Sequence, residues 1–435
     1  MTAPHHEPGH TSDPWHDHKP TITKPPEAVF LDPWLTSSGD ALRALVDGIT
    51  SDITPSRRDA AERREQVVGN VVANLALLAL SPHAATDGRL AVSTGKTRPT
   101  RYERQDYPQR HLGAIVEELA ELGLLVRHPH VFKRLVTTIE PSPDFISRLA
   151  AHGVRLRDIG REDGGERLWL VARTGEKPFG NEPPPKVLIH YDDTEETRRL
   201  RGEVERINAF LSGVRMTKAG EQQAPLALHR RFLLRTPQAP HVWELNGRLQ
   251  GAWWMNTPRA ERHLIKIEGE DIADLDFQAM FATLAYLRVT GRLPDGDPYD
   301  ISGLERHRAG AKLAMLSMLS RSSPMQRLSP ELRDALPEGW DARRLVAAMA
   351  HRHPAIASCF GSDVGVELMA AESRILISAL LELERQGIPA MPLHDGLQVR
   401  QFDKSVAMRA MQAVSKQVLG TALPVVEKPI VRPAT

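Results

Sequence analysis

Two apolar periods are interleaved along this chain, and their interleaving is what most narrows the folds open to it. Stretches with apolar residues three and four apart alternate with short runs in which every second residue is apolar, so helices and strands are mixed throughout. Val67, Val68, Val71, Val72, Leu75 and Leu78 form one helical stripe, in a helix starting near Pro55 behind the charged run Arg57 to Glu65. A second helix is expected from Pro108, a favoured first-turn residue, to Leu122, with Leu112, Ile115, Val116 and Leu119 on one face and Gly123 as the stop. At 435 residues and 41% apolar content, about three folded units with cores of their own are expected. The single cysteine, Cys359, excludes an internal disulfide, a cysteine-rich zinc module and an iron–sulfur cluster held by this chain alone. No apolar run approaches the roughly 18 residues of a membrane span, and the N-terminus lacks a secretion signal's order, so a soluble, cytoplasmic protein is expected. Residues 1–35, dominated by Pro, His, Asp and Thr, are expected to be a disordered tail. His5, His6, His10, His16 and His18 could bind a metal, but a solvated tail is the plainer reading.

Residues 36–150 have the order of a winged helix. The two helices are followed by the short strands Leu124 to Arg127 and Arg134 to Ile139, with a turn through Pro129, and by a helix from Pro143 to Leu149. Arg98, Arg101, Arg104 and Arg110 lead into the second helix, and Lys133 and Arg134 sit on the expected wing. Such residues can neutralise phosphates while a helix enters the major groove; a solvated basic face on a protein-docking module is the alternative. The formal charge of +1 means that any DNA binding rests on local patches rather than on an overall field. Residues 151–224 form a connector. Strands are expected at 168–171 and 187–189 around a Pro/Gly-rich break, then a thumb-like helix from Glu195 to Leu211 with Arg198, Arg199, Arg201 and Arg206 outward.

Residues 225–435 carry the chemistry. Asp276 ends an alternating strand, Ile272 to Leu275, and Asp395 lies between two further short strands with Gly396 at the turn. Carboxylates at strand ends that can meet across neighbouring strands suit a two-metal phosphoryl-transfer site, because magnesium takes hard oxygen ligands. Arg308 and Lys312, four apart, project from one helical face and suit a triphosphate; a solvated basic face is the bland alternative. Helices are also expected at 279–287, 345–349, 364–383 and 404–418. Glu372 and Ser373, on the third of these, could reach a duplex or be solvated or capping.

Read in order, these pieces resemble the family A DNA polymerases and the related single-subunit phage RNA polymerases over residues 240–420. Gly247-Arg248-Leu249, Asn256-Thr257-Pro258 and Arg262 look like the family's GRL…NIP…R stretch. Asp276-Phe277-Gln278-Ala279 looks like the first palm motif, Arg308 to Lys312 like the start of the fingers helix, and His394-Asp395-Gly396 like the second palm motif. The resemblance implies an α+β fold, with a right-hand polymerase-like palm and reduced, helical fingers following the winged-helix-like domain. It implies Asp276, Asp395 and Phe277 as the metal site for two Mg2+ ions, with Mn2+ as a substitute. Lys312 becomes a catalytic acid for the departing pyrophosphate and, with Arg308, a nucleotide-binding residue; Arg248 and His394 contact the primer–template. Three departures stand out. Gly396 replaces the family's glutamate after His-Asp, Ser320 and Arg321 replace an aromatic and a glycine at the end of the fingers helix, and Phe281 stands five residues after Asp276. A ring there could exclude a ribose 2′-hydroxyl, favouring deoxynucleotides, or could simply pack. No exonuclease-type acidic cluster lies upstream, so no proofreading is expected. The leading expectation is a compact DNA polymerase acting on a DNA primer–template and nucleoside triphosphates in plasmid, phage or mobile-element replication. The alternatives are a primase or small RNA polymerase, and a non-catalytic replication initiator or regulator with a degenerate palm.

Overall fold

The computed structural model describes residues 29–53, 58–81, 88–93, 100–128, 137–175, 186–393 and 395–432. Its elements are mixed α and β throughout, as the interleaved periods predict.

The first core gathers residues 35–159. Helix Arg58–Leu80 runs through it, with Val67, Val68, Val71, Val72 and Leu75 at 1% exposure or less, and helices Asp40–Asp52 and Gln109–Glu121 pack against it. Strand Leu90–Ala91 lies between Val29–Phe30, which it meets in parallel, and Thr138–Pro141, which pairs in turn with Leu125–His128. The expected helices and the first expected strand therefore appear with bounds shifted by a few residues; the helix start near Pro55, the turn through Pro129 and residues 134–136 of the second expected strand lie outside the described residues. Two features depart from expectation. Helix Asp40–Asp52, with Leu42, Leu45, Val46 and Ile49 buried, is a helix beyond those expected from the sequence. The tail assigned to residues 1–35 extends too far: residues 29–35 belong to the fold, while residues 1–28 lie outside the described residues. The reason is polar. Asn70 and Asn74, buried on helix Arg58–Leu80, donate side-chain amides to the Asp32 and Leu35 carbonyls at 2.8–2.9 Å, and Asn74 Oδ1 accepts from the Asp32 N–H at 2.8 Å. This satisfies backbone groups that a short strand would otherwise leave unpaired in the interior.

The second sheet runs in the order Asn246–Gln250, His229–Leu234, Leu168–Arg173, Lys186–Leu188. Its central pair is parallel, with Arg230 opposite Leu168, so the sheet straddles the division at residue 224 expected between connector and palm. Helix Glu195–Ser212 begins at Thr194, whose hydroxyl accepts from the Thr197 N–H, and packs beside this sheet.

The largest core spans residues 204–425 and backs an antiparallel sheet. Strand Glu270–Phe277 is central. On one edge it pairs with Gly396–Arg400, which continues to Ala390–Leu393; on the other it pairs first with Ile265–Ile267 and then with Val425–Lys428. Helix Gly365–Arg385 is apolar on most of its circumference and correspondingly central, touching strand Asn246–Gln250 and helices Met280–Thr290 and Lys404–Leu419. Among the described residues no helix is long and apolar enough to cross a membrane.

Candidate active site

Asp276 and Asp395 meet. Asp276 lies opposite Gly396 in the strand pairing, and Asp395, the turn residue directly before Gly396, is thereby carried to it. The two carboxyls are within hydrogen-bonding reach of one another. Asp276 is 4% exposed, Asp395 half-buried. Ionised carboxylates only accept hydrogen bonds, so a proton or a cation must sit between facing ones. Lys428 supplies one such cation, its Nζ contacting Asp276 Oδ2. Asp276 Oδ1 is buried with no donor among the described residues. Burial, then the facing Asp395 charge, raises Asp276 to about 6, with Lys428 opposing the rise.

The hard-oxygen donors and the unpartnered Oδ1 fit a divalent ion of the magnesium type. Asp276 and Asp395 would hold it; Phe277, whose side chain is 2% exposed in the core, can contribute only its backbone carbonyl. Among the described residues no group of three His, Cys, Asp or Glu side chains stands together for a metal, so further ligands would come from substrate or water. Proton and metal compete for the same oxygens. Mn2+ affinity measured by titration calorimetry should therefore tighten as pH rises through about 6 and level off above it; an affinity flat from pH 5 to 7 contradicts the coupling. The sign for stability is opposite. A carboxyl raised from 3.8 to about 6 stabilises the fold below its unfolded value and loses that contribution as pH rises through the folded one, so the metal-free protein should melt progressively lower across this window.

The glycine at position 396 has a steric cause. A Cβ there would lie 2.2 Å from the Leu275 carbonyl oxygen and 3.1 Å from Asp276 Oδ1. The strands approach too closely for any side chain at this position.

A third buried acid nevertheless lies in the electrostatic reach of the pair. Glu372, fully buried on helix Gly365–Arg385, accepts from Arg248 Nε at 2.6 Å and Nη2 at 2.8 Å. Burial pushes its carboxyl to about 7; Arg248 opposes this, and the charges of Asp395 and Asp276 add to it. It is therefore neither solvated nor a cap. Arg248 in turn lies over the Phe281 ring, 5.5 Å from its centroid, and Phe281 is 5% exposed in the core. Tyr299 is 3% exposed: burial raises its hydroxyl to about 12, with Arg308 opposing and Asp297, then Asp395 and Asp276, adding to the rise. The Arg308 guanidinium sits 5.0 Å from the Tyr299 ring centroid and is paired to both Asp297 oxygens at 2.5 and 3.1 Å. Lys312 is exposed one turn further along the same helix. His394 lies outside the described residues.

The basic residues ahead of the Gln109–Glu121 helix are disposed differently from expectation. Arg101 is turned inward, paired with Glu166 at 3.0 Å and Asp193 at 2.7 Å and stacked 3.6 Å over the Tyr191 ring. Arg104 is buried and bound to both Asp106 oxygens at 2.9 and 3.0 Å. The acids that capture them lie close by in sequence or just ahead of a distant strand and helix, so exposure could not be read from the arginines alone. Arg110 is exposed, its Nε donating to His111 Nε2 at 3.1 Å. Arg98, Lys133 and Arg134 lie outside the described residues.

Sequence reasoning missed Lys428 and Tyr299 and left Glu372 in the wrong environment. Two acids within one apolar sheet demand a compensating cation, but nothing local marks which lysine the fold will bring, nor which tyrosine or further acid will lie near them.

No family model matches the chain, and no curated protein does. Among solved structures the chain is similar to the POL domain of Pol1 from M. smegmatis in complex with DNA primer-template and dNTP, at 13% identity and a TM-score of 0.26 over 91% of this chain. It spans 66% of that structure's chain.

Proposed function

We propose that this chain is a template-directed nucleotidyltransferase, a compact DNA polymerase without proofreading that serves plasmid, phage or mobile-element replication. The observation that carries the reading is the pair Asp276 and Asp395, remote in sequence and brought together where a strand meets the turn beside it, with a buried oxygen that has no donor among the described residues. Asp276, Asp395 and the Phe277 carbonyl would hold two magnesium ions, which when bound lower the pKa of a primer 3′-hydroxyl and neutralise charge developing on the α-phosphate. Arg308 would exchange Asp297 for nucleotide phosphate, a stronger partner for a guanidinium fork. Lys312, exposed on the same helix face, would give its proton to the departing pyrophosphate. Arg248 and His394 would meet the primer–template. Glu372 would hold the Arg248 guanidinium in place. The first core is read as a winged helix, a reading supported by its helix, helix, strand, helix, hairpin order; Arg110 would contact phosphate there, with Arg98, Lys133 and Arg134.

The direct test is primer extension on a defined template with deoxynucleotides or ribonucleotides in Mg2+ or Mn2+. Extension by wild type that is absent in Asp276→Asn and Asp395→Asn supports the reading. DNA binding without extension in any condition rejects it in favour of a non-catalytic initiator or regulator, and preferential use of ribonucleotides makes the enzyme a primase or small RNA polymerase.

Phe281 is read as the residue that favours deoxynucleotides. Its ring is held between the core and Arg248, so Phe281→Ala should raise relative ribonucleotide incorporation by an order of magnitude and, by emptying a packed position, cost about 3 kcal/mol of stability. Unchanged sugar selectivity in a folded Phe281→Ala protein assigns the ring to packing alone.

A further inference from the structure

We propose that Lys428 is a resident cation of the acidic pair that competes with a divalent ion for Asp276 until a nucleoside triphosphate draws the ammonium away. The inference rests on the metal-binding reading of Asp276 and Asp395. Strand register places Lys428 directly opposite Asp274, with Asp276 its diagonal neighbour on the same face of the sheet. Asp274 is already taken: it is 6% exposed and paired with Arg262 Nη1 at 3.1 Å. The long lysine side chain therefore reaches the diagonal acid, and its Nζ contacts Asp276 Oδ2.

The exposures of the two partners differ in a way that suits exchange. The Asp276 side chain is 6% exposed and cannot leave the site, whereas the Lys428 side chain is 39% exposed and can swing to solvent or to an incoming anion. Two carboxylates and one ammonium sum to a single negative charge, so a divalent ion entering the free protein must displace the ammonium from Oδ2 or share that oxygen with it. A triphosphate changes the balance by offering the ammonium several phosphate oxygens a short swing away. Metal loading at this site is then coupled to nucleotide binding through one side chain, which discourages occupation of the site without substrate.

The test is Mn2+ binding to the full chain, followed by electron paramagnetic resonance, with and without a non-hydrolysable deoxynucleoside triphosphate. Without nucleotide, Lys428→Met should bind Mn2+ on the order of tenfold more tightly than wild type, as expected for removing one adjacent positive charge from a largely buried site. With nucleotide the difference should narrow to about twofold or less, because the ammonium has left Asp276. Lys428→Arg retains the positive charge and should bind as weakly as wild type without nucleotide, and Asp276→Asn in the Lys428→Met background should lose the gain. Asp276-dependent Mn2+ binding that is equal in wild type and Lys428→Met overturns the role of Lys428 and leaves the acidic pair as a metal site. Absence of any Mn2+ binding that depends on Asp276 and Asp395 overturns both.

Discussion

Asp276→Asn and Asp395→Asn each reduce nucleotide incorporation on the order of 10³-fold while leaving the fold intact, the expected result if the two carboxylates are the metal ligands of a phosphoryl-transfer site. The companion effect on stability separates this from ordinary damage. In the metal-free protein at pH 7 the two carboxylates oppose one another across the strand pair, and Asp276 has its ionised form disfavoured by burial and by Asp395. Asp395→Asn removes the second of these causes and supplies an amide donor within reach of the facing oxygen. The variant should therefore gain stability, by about 1 kcal/mol, while losing activity. Primer extension and thermal melting on the same preparation check both halves. A variant that loses activity and stability together has lost structure rather than a ligand, and one that extends primers like wild type removes Asp395 from the site.

Gly396→Glu does not restore the acid that the family motif carries; it breaks the sheet. Every side chain begins with a Cβ, and at this position that atom falls 2.2 Å from a backbone carbonyl oxygen at the end of the pairing between Glu270–Phe277 and Gly396–Arg400. Backbone in a paired strand cannot move aside without losing its hydrogen bonds, unlike the end of a flexible side chain. Both Gly396→Ala and Gly396→Glu should therefore lose stability, by about 2–3 kcal/mol, and activity should fall because Asp276 Oδ1 lies on the same path at 3.1 Å. The alanine variant isolates the steric effect from charge. Melting temperatures equal to wild type for both variants contradict the close approach, and an active Gly396→Glu protein contradicts the site geometry built on it.

Much of the secondary structure follows from spacing along the chain. The stripe Val67 to Leu75, the helix Glu195–Ser212 and the strand that carries Asp276 are written in local periodicity, which depends on near neighbours only. The helix Asp40–Asp52 carried the same signal, with Leu42, Leu45, Val46 and Ile49 at helical spacing; its Pro/His-rich approach obscured it. Segment 29–35 was a different kind of miss. It joins the fold through Asn70 and Asn74, side chains on another element, and no composition-based rule registers those partners.

The candidate site divides in the same way. Asp276 and Asp395 were visible because an acid at a strand end has a local signature, and two of them have a motif order. That a glycine follows Asp395 was visible as well, but only as a missing acid. Its cause, the nearness of the Leu275 carbonyl, is a distance between strands 121 positions apart in sequence, from 275 to 396. Lys428, Tyr299 and Glu372 belong to the same class. Each is brought to the acids from elsewhere in the chain: the Lys428 ammonium offsets their charge, whereas Glu372 adds a buried carboxyl that is held by Arg248.

Taken alone, then, the sequence determined the alternation of helices and strands, the positions of two strand-end carboxylates and the presence of many arginines. Only the tertiary structure decided which arginines face solvent and which are bound within: Arg110 is outward, whereas Arg101, Arg104 and Arg248 are held by acids. The reason is physical. Periodicity records how a residue relates to its own helix or strand, while the state of a charged group depends on the charges and dielectric around it, and these are contributed mostly by residues far away along the chain.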